Sequence, residues 1–356
     1  IEAIRSLVVV LPELPVTPFI GVTGSSGKTT TKDLIASILS REMPVLKNEE
    51  NFNNEIGVPL TLLKLSKKHK AAVVEMAMQR PGEIKALAGI VRPKIAVVTN
   101  IGEAHLEFLK SKKNIARAKA EIFAYLGKGG FAVINADDEY FEHLMSNVQC
   151  PMSNVVTFGI IEKADVTPKD LEGITLPLPG EHIIYDALAA VAVAKIMGLK
   201  RSSVKKGLEN AVLSSKRMEI INRRDNVKII NDTYNANPQS MAAALKVLAS
   251  LKGRKIAVLG DMFELGGAAK RSHRSIGKLA RELKIDILIS VGKLSREMQA
   301  DHHYPDNRSA AGKLKKLLKK GDRVLIKGSR GMKMEEISSA LSKKPIGSIL
   351  LEKSFG

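Results

Sequence analysis

Tryptophan is absent from this chain, and it has a single cysteine, Cys150. One thiol excludes an internal disulfide framework and a cysteine metal cage. Aromatic residues make up only 4% of the sequence, which leaves little stacking surface for single-stranded nucleic acid. No apolar run approaches the ~18 residues of a membrane span. The N-terminal stretch IEAIRSLVVVLPELP has neither a basic leader nor a small-residue cleavage site. It is therefore not read as a signal peptide, and the cytoplasm is the expected compartment. Acidic residues are also short in supply, 37 against 56 Lys and Arg, for a net charge of +19. The lysines are scattered in pairs such as Lys67-Lys68 and Lys315-Lys316. That spread suits solvated faces or the steering of anionic small substrates, and no nucleic-acid partner is expected.

What is present is ordinary globular material. The 356 residues are 44% apolar and 26% charged, enough to bury real cores in about two domains. Thr17 to Val22 reads as a buried parallel strand. A small-residue turn follows, Thr23 to Gly27, and Lys28-Thr29-Thr30-Thr31 opens a helix. Strand, glycine-rich turn and helix N-terminus make an anion cradle, because glycines let backbone N–H groups approach phosphate oxygens and the helix dipole favours negative charge. Lys28 is placed to reach the outer phosphates and Thr29 to offer a hydroxyl to Mg2+. Strict Walker A spacing wants glycine where this chain has Val22.

The pattern after the cradle alternates. Lys47 to Gly57 (KNEENFNNEIG) carries four asparagines and reads as a loop rich in side-chain-to-backbone bonds. A helix is expected over Val58 to Leu65 and strands over Lys70 to Met76, Lys94 to Asn100 and Gly130 to Asn135. Asn114 to Leu126 has helical spacing of Ile115, Ala118, Ile122 and Leu126. Short strands over Val155 to Leu178 and a helix over His182 to Met197 complete the first half. Glu75 falls at the carboxyl end of a strand and His105 just past the end of another, on the edge where open α/β sheets bind ligands. Either could be structural when taken alone; beside Lys28 each becomes a candidate metal or phosphate residue. Past a boundary near Ser214, strands are expected over Val227 to Asn231, Lys255 to Gly260, Asp286 to Val291 and Arg323 to Ile326. Helices are expected over Ser240 to Leu251, Ser275 to Leu283, Ser309 to Leu318 and Met334 to Leu341. Both halves are thus α/β: a central P-loop ATPase domain with a mainly parallel sheet, and a C-terminal Rossmann-like α/β domain.

The motifs TGSSGKTT, NFNNEIGVPLTLL, VVEMAMQRPGEI, TNIGEAHLEF and AKAEIF occur in this order. They resemble the central ATPase domain of the Mur ligases. RMEIINRRDNVKIINDTYNANPQSM, VLGDMFELG and VLIKGSRGMKMEEI resemble the C-terminal domain of the MurF branch, over about Thr17 to Leu341. The resemblance implies ATP and Mg2+ as cofactors. It implies a UDP-linked muramoyl peptide and D-alanyl-D-alanine as substrates, in a monomer working on peptidoglycan precursors. Gly24, Ser25, Ser26, Gly27, Lys28, Thr29 and Thr30 would cradle the phosphates. Thr29, Glu75 and His105 would serve Mg2+, and Lys119 matches a lysine that the family carbamylates to supply negative charge to a metal. Lys28, Lys119, His105 and Glu75 are then the catalytic set. Asn100 and Asp186 count with the nucleotide-binding residues, and Arg217 and Asp232 would reach ATP from the C-terminal domain. Asn235, Asn237 and Ser240 lie in the NANPxS signature, and Lys327, Ser329 and Arg330 where the amino substrate is expected.

The sequence departs from the family at several points. The domains expected are 17–213 for ATP binding and 214–356 for the ligase domain, with 1–16 as a linker or remnant of the family's N-terminal UDP-sugar domain, which is otherwise missing. Ile183 and Asp186 stand where the family usually has two asparagines that help hold adenine. Residues Ala164 to Leu178 are shorter than expected, and Glu75 is followed by Met-Ala-Met-Gln. Rival expectations are another ligase of the superfamily (MurE-like, pseudomurein or folylpolyglutamate-type), a non-catalytic nucleotide-binding protein, or a basic nucleic-acid-binding ATPase. The phosphate cradle generates a direct test: Lys28→Ala should abolish phosphate release from Mg-ATP, and turnover surviving that change would refute the P-loop assignment.

Overall fold

A computed structural model describes residues 17–342 apart from residues 50 and 128. The expected linker or remnant at 1–16 lies outside the described residues. The chain divides into two compact units. The first runs through Ser214 and takes in Glu264–Gly266; the second holds Ser215–Phe263 and the chain from Gly267 onward.

The first unit carries β1 (Phe19–Thr23), α1 (Lys28–Leu39), β2 (Val45–Lys47), α2 (Gly57–Leu62), β3 (Ala71–Glu75), α3 (Glu83–Val91), β4 (Ile95–Val98), α4 (Leu106–Leu109), α5 (Lys112–Ala120), β5 (Phe131–Asn135), α6 (Phe141–Met145), β6 (Val155–Phe158), α7 (Glu181–Ile196) and α8 (Arg201–Glu209). Its six strands are all parallel, in the order β2-β3-β1-β4-β5-β6. Alternate residues of each strand feed two cores, as the two-residue side-chain period requires. Ile20, Val22, Val73, Ile95, Val97 and Val133 pack under α1, α7 and α8. Val74, Ala96, Val98 and Ile134 pack under α3 and α5. Because β3 and β4 flank β1, the connection after β1 leaves the sheet at a point where the strand order reverses, the usual ligand edge.

The second unit has β7 (Glu219–Asn222), β8 (Lys228–Asp232), α9 (Pro238–Ser250), β9 (Lys255–Gly260), α10 (Ala269–Glu282), β10 (Ile287–Val291), β11 (His302–Tyr304), α11 (Asn307–Leu317), β12 (Arg323–Lys327) and α12 (Glu335–Ser342). Its order is β11-β10-β9-β12-β8-β7, parallel except for the β7–β8 hairpin. The expected α/β class and mainly parallel sheets are found in both units.

Three local expectations are corrected. The helix expected to continue to Leu126 is α-helical only to Ala120 and becomes a 3-10 turn over Glu121–Tyr125. There the Glu121 carboxylate accepts the N–H groups of Gly82 and Lys85 at the start of α3, satisfying helix donors that have no partner within the helix. The helix expected to start at Ser240 starts at Pro238, with Asn237 as cap and Ser240 in a reciprocal capping box, so the side-chain oxygen that caps belongs to Asn237. The edge strands β2, β7 and β11 are additions. Each has three or four residues, too few to display a period, and the β7 turn uses left-handed Asp225 and Asn226, residues that tolerate that region.

Helix α8 lies so close to α1 that Ser37 Oγ donates to the Gly207 carbonyl at 2.7 Å. A Cβ on Gly207 would stand 2.5 Å from Ile38 Cα. Gly207→Ala should therefore cost about 1–3 kcal/mol by overpacking, read as a lower urea midpoint for the transition of the first unit.

Candidate active site

The cradle is built at the end of β1. Gly24 and Gly27 have φ of 152° and 77°, values L side chains rarely adopt. A Cβ on Gly24 would meet Thr99 Oγ1, and one on Gly27 would meet Asp186 Oδ1. The turn leans on the loop after β4. Ser25 N–H donates to the Asn100 carbonyl at 2.9 Å, and Ser26 N–H to Asn100 Oδ1 at 3.1 Å. Asn100 Nδ2 and Thr99 Oγ1 both donate to the Ser26 carbonyl. Asn100, expected among the nucleotide-binding residues, here shapes the turn that would bind the phosphates.

Inside the cradle two amines converge on one carbonyl. Lys28 Nζ donates to Gly24 O at 3.0 Å and Lys119 Nζ to the same oxygen at 2.8 Å. Lys119 is 1% exposed. Burial, with the charge of Lys28 second, holds its amine well below the usual lysine range, and no carboxylate opposes that shift. His105 sits at the start of α4 in the left-handed region, φ 65°. Its Nδ1 is 2.5 Å from Oε2 of Glu264, which groups with the first unit. Burial pushes its imidazole pKa down; Glu264 offsets part of this, while Lys119 and Lys28 add to it.

Glu75 ends β3 fully buried. Its Oε2 accepts Thr29 Oγ1 at 2.6 Å and its Oε1 accepts Asn53 Nδ2 at 2.9 Å. Its backbone is bracketed by Asn48, whose Oδ1 accepts Glu75 N–H at 2.9 Å and whose Nδ2 donates to Glu75 O at 3.0 Å. Asn48 thus acts as a strand neighbour made from a side chain. Thr30 lies beside this set, 8% exposed.

In the second unit, Lys327 Nζ donates to Asp232 Oδ2 at 2.7 Å and to the Asn235 carbonyl at 2.8 Å. The Arg217 guanidinium lies 3.9 Å from the centre of the Tyr234 ring. Ser329 Oγ accepts Phe263 N–H, and Arg330 pairs with Glu335 at 2.9 Å. Asp232, Asn235, Lys327, Ser329 and Arg330 therefore gather at the carboxyl ends of β8 and β12. The side chains of Asn237 and Ser240 close the cap of α9 on each other's backbone.

A model of the Mur ligase middle domain matches residues 22–194, and one of the Mur ligase glutamate ligase domain matches residues 216–330. The chain is 37% identical over 352 residues to the UDP-N-acetylmuramoyl-tripeptide–D-alanyl-D-alanine ligase of Bacillus subtilis, covering 93% of this chain and 77% of that protein. This chain belongs to the Mur ligase family. Among solved structures the Mur ligase chain is similar to MurF from Acinetobacter baumannii, at 34% identity and TM-score 0.86, over 92% of this chain and 77% of that one. It is also similar to MurF from Thermotoga maritima in complex with ADP, at 28% identity and TM-score 0.86, over 95% and 82% of the two chains.

In this Mur ligase Ile183 and Asp186, the positions expected to bear on adenine binding, also have a place. Ile183 is a core residue at 1% exposure. Asp186 is buried and accepts Thr31 Oγ1 at 3.1 Å. It brings a carboxylate to the N-terminus of α1, which has no acidic residue in its own first turn; the helix dipole favours that charge. Asn48, Asn53 and Glu264 were not singled out from sequence. The run of four asparagines was a signal for the first two; Glu264, 159 residues from His105, had none.

The buried Lys119 amine makes a pH prediction. Its folded pKa lies below the ordinary 10.5, so the unfolded chain binds more protons and stability rises with pH across the gap between them. In CO2-free buffer, Lys119→Met should gain stability over the parent at pH 7, and the gain should shrink as pH approaches 10. A gain in Tm that does not change with pH would contradict the depressed amine.

Proposed function

We propose that this Mur ligase is an ATP-dependent carboxylate–amine ligase that joins D-alanyl-D-alanine to a UDP-N-acetylmuramoyl-tripeptide. The Bacillus subtilis relative, a UDP-N-acetylmuramoyl-tripeptide–D-alanyl-D-alanine ligase, supplies the substrates. The observation that carries the chemistry is the convergence of Lys28 and Lys119 on the single carbonyl of Gly24. Two amines sharing one neutral acceptor make a cavity that favours anions, in the place where a glycine-rich turn and a helix N-terminus favour phosphate. The ADP complex of the Thermotoga maritima neighbour supports the same ligand.

A carboxylate is a poor acylating agent at neutral pH. Transfer of the γ-phosphoryl group to it gives an acyl phosphate with a good leaving group. The substrate amine then attacks the acyl carbon, and inorganic phosphate departs from the tetrahedral intermediate. Lys28 and the cradle amides offset charge on the transferring group. The chain needs no covalent nucleophile; it orients the reactants and keeps water from the acyl phosphate.

The residues present fit Mg2+. Thr29 Oγ1 and the Glu75 carboxylate are hard oxygen donors 2.6 Å apart. Among the described residues there is no cluster of three His, Cys, Asp or Glu that could hold a metal. Mg2+ does not need one, because it keeps waters and borrows phosphate oxygens. Thr29 and Glu75 would hold it, with His105 nearby, and the ion would neutralise phosphate charge. Lys119 as an ammonium would repel that ion. Burial lowers its basicity, which suits the amine to add CO2 with release of a proton and so become a carbamate anion. In the second unit we assign Lys327, Ser329, Arg330 and Asn235 to the incoming dipeptide, and Arg217 and Asp232 to the nucleotide. Among the described residues no helix is long and apolar enough to cross a membrane. A cytoplasmic monomer fits the use of ATP and of nucleotide-linked substrates.

The test is phosphate release from Mg-ATP with substrates omitted singly. Release that needs both the UDP-linked tripeptide and D-alanyl-D-alanine, with an amide product by mass, is expected. ATP binding with no release under any combination would overturn the ligase reading and leave the fold assignment intact.

A further inference from the structure

Helix α1 carries, one residue after its buried Lys32, a carboxylate with no surface exposure at all. Asp33 divides its two oxygens. Oδ1 faces two lysines, Lys47 Nζ at 2.6 Å and Lys32 Nζ at 3.7 Å. Oδ2 accepts both the backbone N–H of Ser214 at 3.0 Å and its Oγ at 2.7 Å. Ser214 is 181 residues away in sequence, and it is the residue after which the chain leaves the first unit for the second. A buried carboxylate on the phosphate-binding helix therefore grips the exit of the first unit by two hydrogen bonds. Charge-assisted bonds of this kind are the strong ones.

The other face of the same helix touches the candidate metal site. Lys32 Nζ lies 4.0 Å from Glu75 Oε2, the oxygen that also accepts Thr29 Oγ1. Lys32 thus stands between two carboxylates, Glu75 at the phosphate site and Asp33 at the chain exit. A cation or phosphate taken up at Thr29 and Glu75 changes how much of the Lys32 charge Glu75 draws, and so changes what is left for Asp33. Lys32 is further held by the Asn48 carbonyl at 2.8 Å, which keeps it on this line.

We propose that Asp33 is a positioning residue that couples occupation of the phosphate cradle to the hold on Ser214, the point where the chain passes into the second unit. The inference rests on the nucleotide-binding part of the function proposed above and goes beyond it. It assigns a role to a residue that touches neither nucleotide nor substrate. Coupling between two sites is reciprocal, and this makes the assignment quantitative. If Mg-nucleotide favours the latched state by some factor, it lowers the opening equilibrium at Ser214 by that factor. A variant that cannot latch should bind Mg-nucleotide more weakly by the same factor.

The experiment measures hydrogen exchange of the segment 213–216 by mass spectrometry, with and without Mg-ADP, alongside Mg-ADP affinity by calorimetry. Wild-type protein, Asp33→Asn and Ser214→Ala are compared. We expect Mg-ADP to slow exchange in the wild type by about fivefold or more, the usual scale of such couplings. Asp33→Asn should lose that protection and bind Mg-ADP more weakly by a matching factor. Ser214→Ala keeps the N–H bond, alters no charge near the helix, and should show part of both effects; it carries the test alone if Asp33→Asn does not fold. Exchange unchanged by Mg-ADP in a wild type that binds it would overturn this proposal only, as would wild-type affinity in both variants. A wild type that binds no Mg-ADP would overturn it together with the nucleotide reading.

Discussion

The carbonyl oxygen of Gly24 receives the amines of both Lys28 and Lys119, and much of the first unit follows from that convergence. Lys119 is buried there, where an ammonium is costly. Lys119 answers by losing basicity, and the remaining positive field is what an anion would meet on entering. The geometry depends on β1 and β4 being neighbours. The loop after β4 holds the turn through Asn100 and Thr99, and the turn in turn offers Gly24 O to a lysine from α5, far away in sequence.

A second theme is the cost of placing charge on a covered helix. Helix α1 is packed by α7 and α8, yet carries Lys32 and Asp33 fully buried. Each is given partners from distant segments: Asn48 and Glu75 on one side, Lys47 and Ser214 on the other. Satisfied in this way, buried polar groups specify one arrangement; leaving any of them without its partner is expensive. The asparagine loop is the hub, since Asn48 holds the backbone of Glu75 and Asn53 its side chain. The second unit repeats the device more simply, with Lys327 and Asp232 neutralising each other at the sheet edge while Arg217 lies over Tyr234.

Legibility in the sequence followed the range of the interaction. The cradle could be read because its residues are consecutive and its physics is local. Buried strands such as Ala71–Glu75 and Lys255–Gly260 stood out as short apolar runs between turns. The helix caps were half readable. Asn237-Pro238 and Ser240 form a recognisable signature, but only the backbone decides that Asn237 caps and Ser240 answers it. Three-residue edge strands such as Val45–Lys47 and His302–Tyr304 carry no periodic signal, and their existence depends on a neighbour to pair with. Glu264 beside His105 and Ser214 beside Asp33 lie more than 150 residues from the side chains they meet and have no local mark.

The α/β class, the glycine-rich turn after β1, the strand-end position of Glu75 and the family are all written in contiguous residues, whose backbone preferences act over a few positions. The tertiary structure alone decided that Lys119 shares a carbonyl with Lys28, that Asn48 stands in for a strand beside Glu75, that Asp186 serves the N-terminus of α1, and that Asp33 holds Ser214. Those contacts bring together residues separated by tens to hundreds of positions. They form only where packing of the two faces of the sheet has already overcome the chain entropy of bringing such residues together.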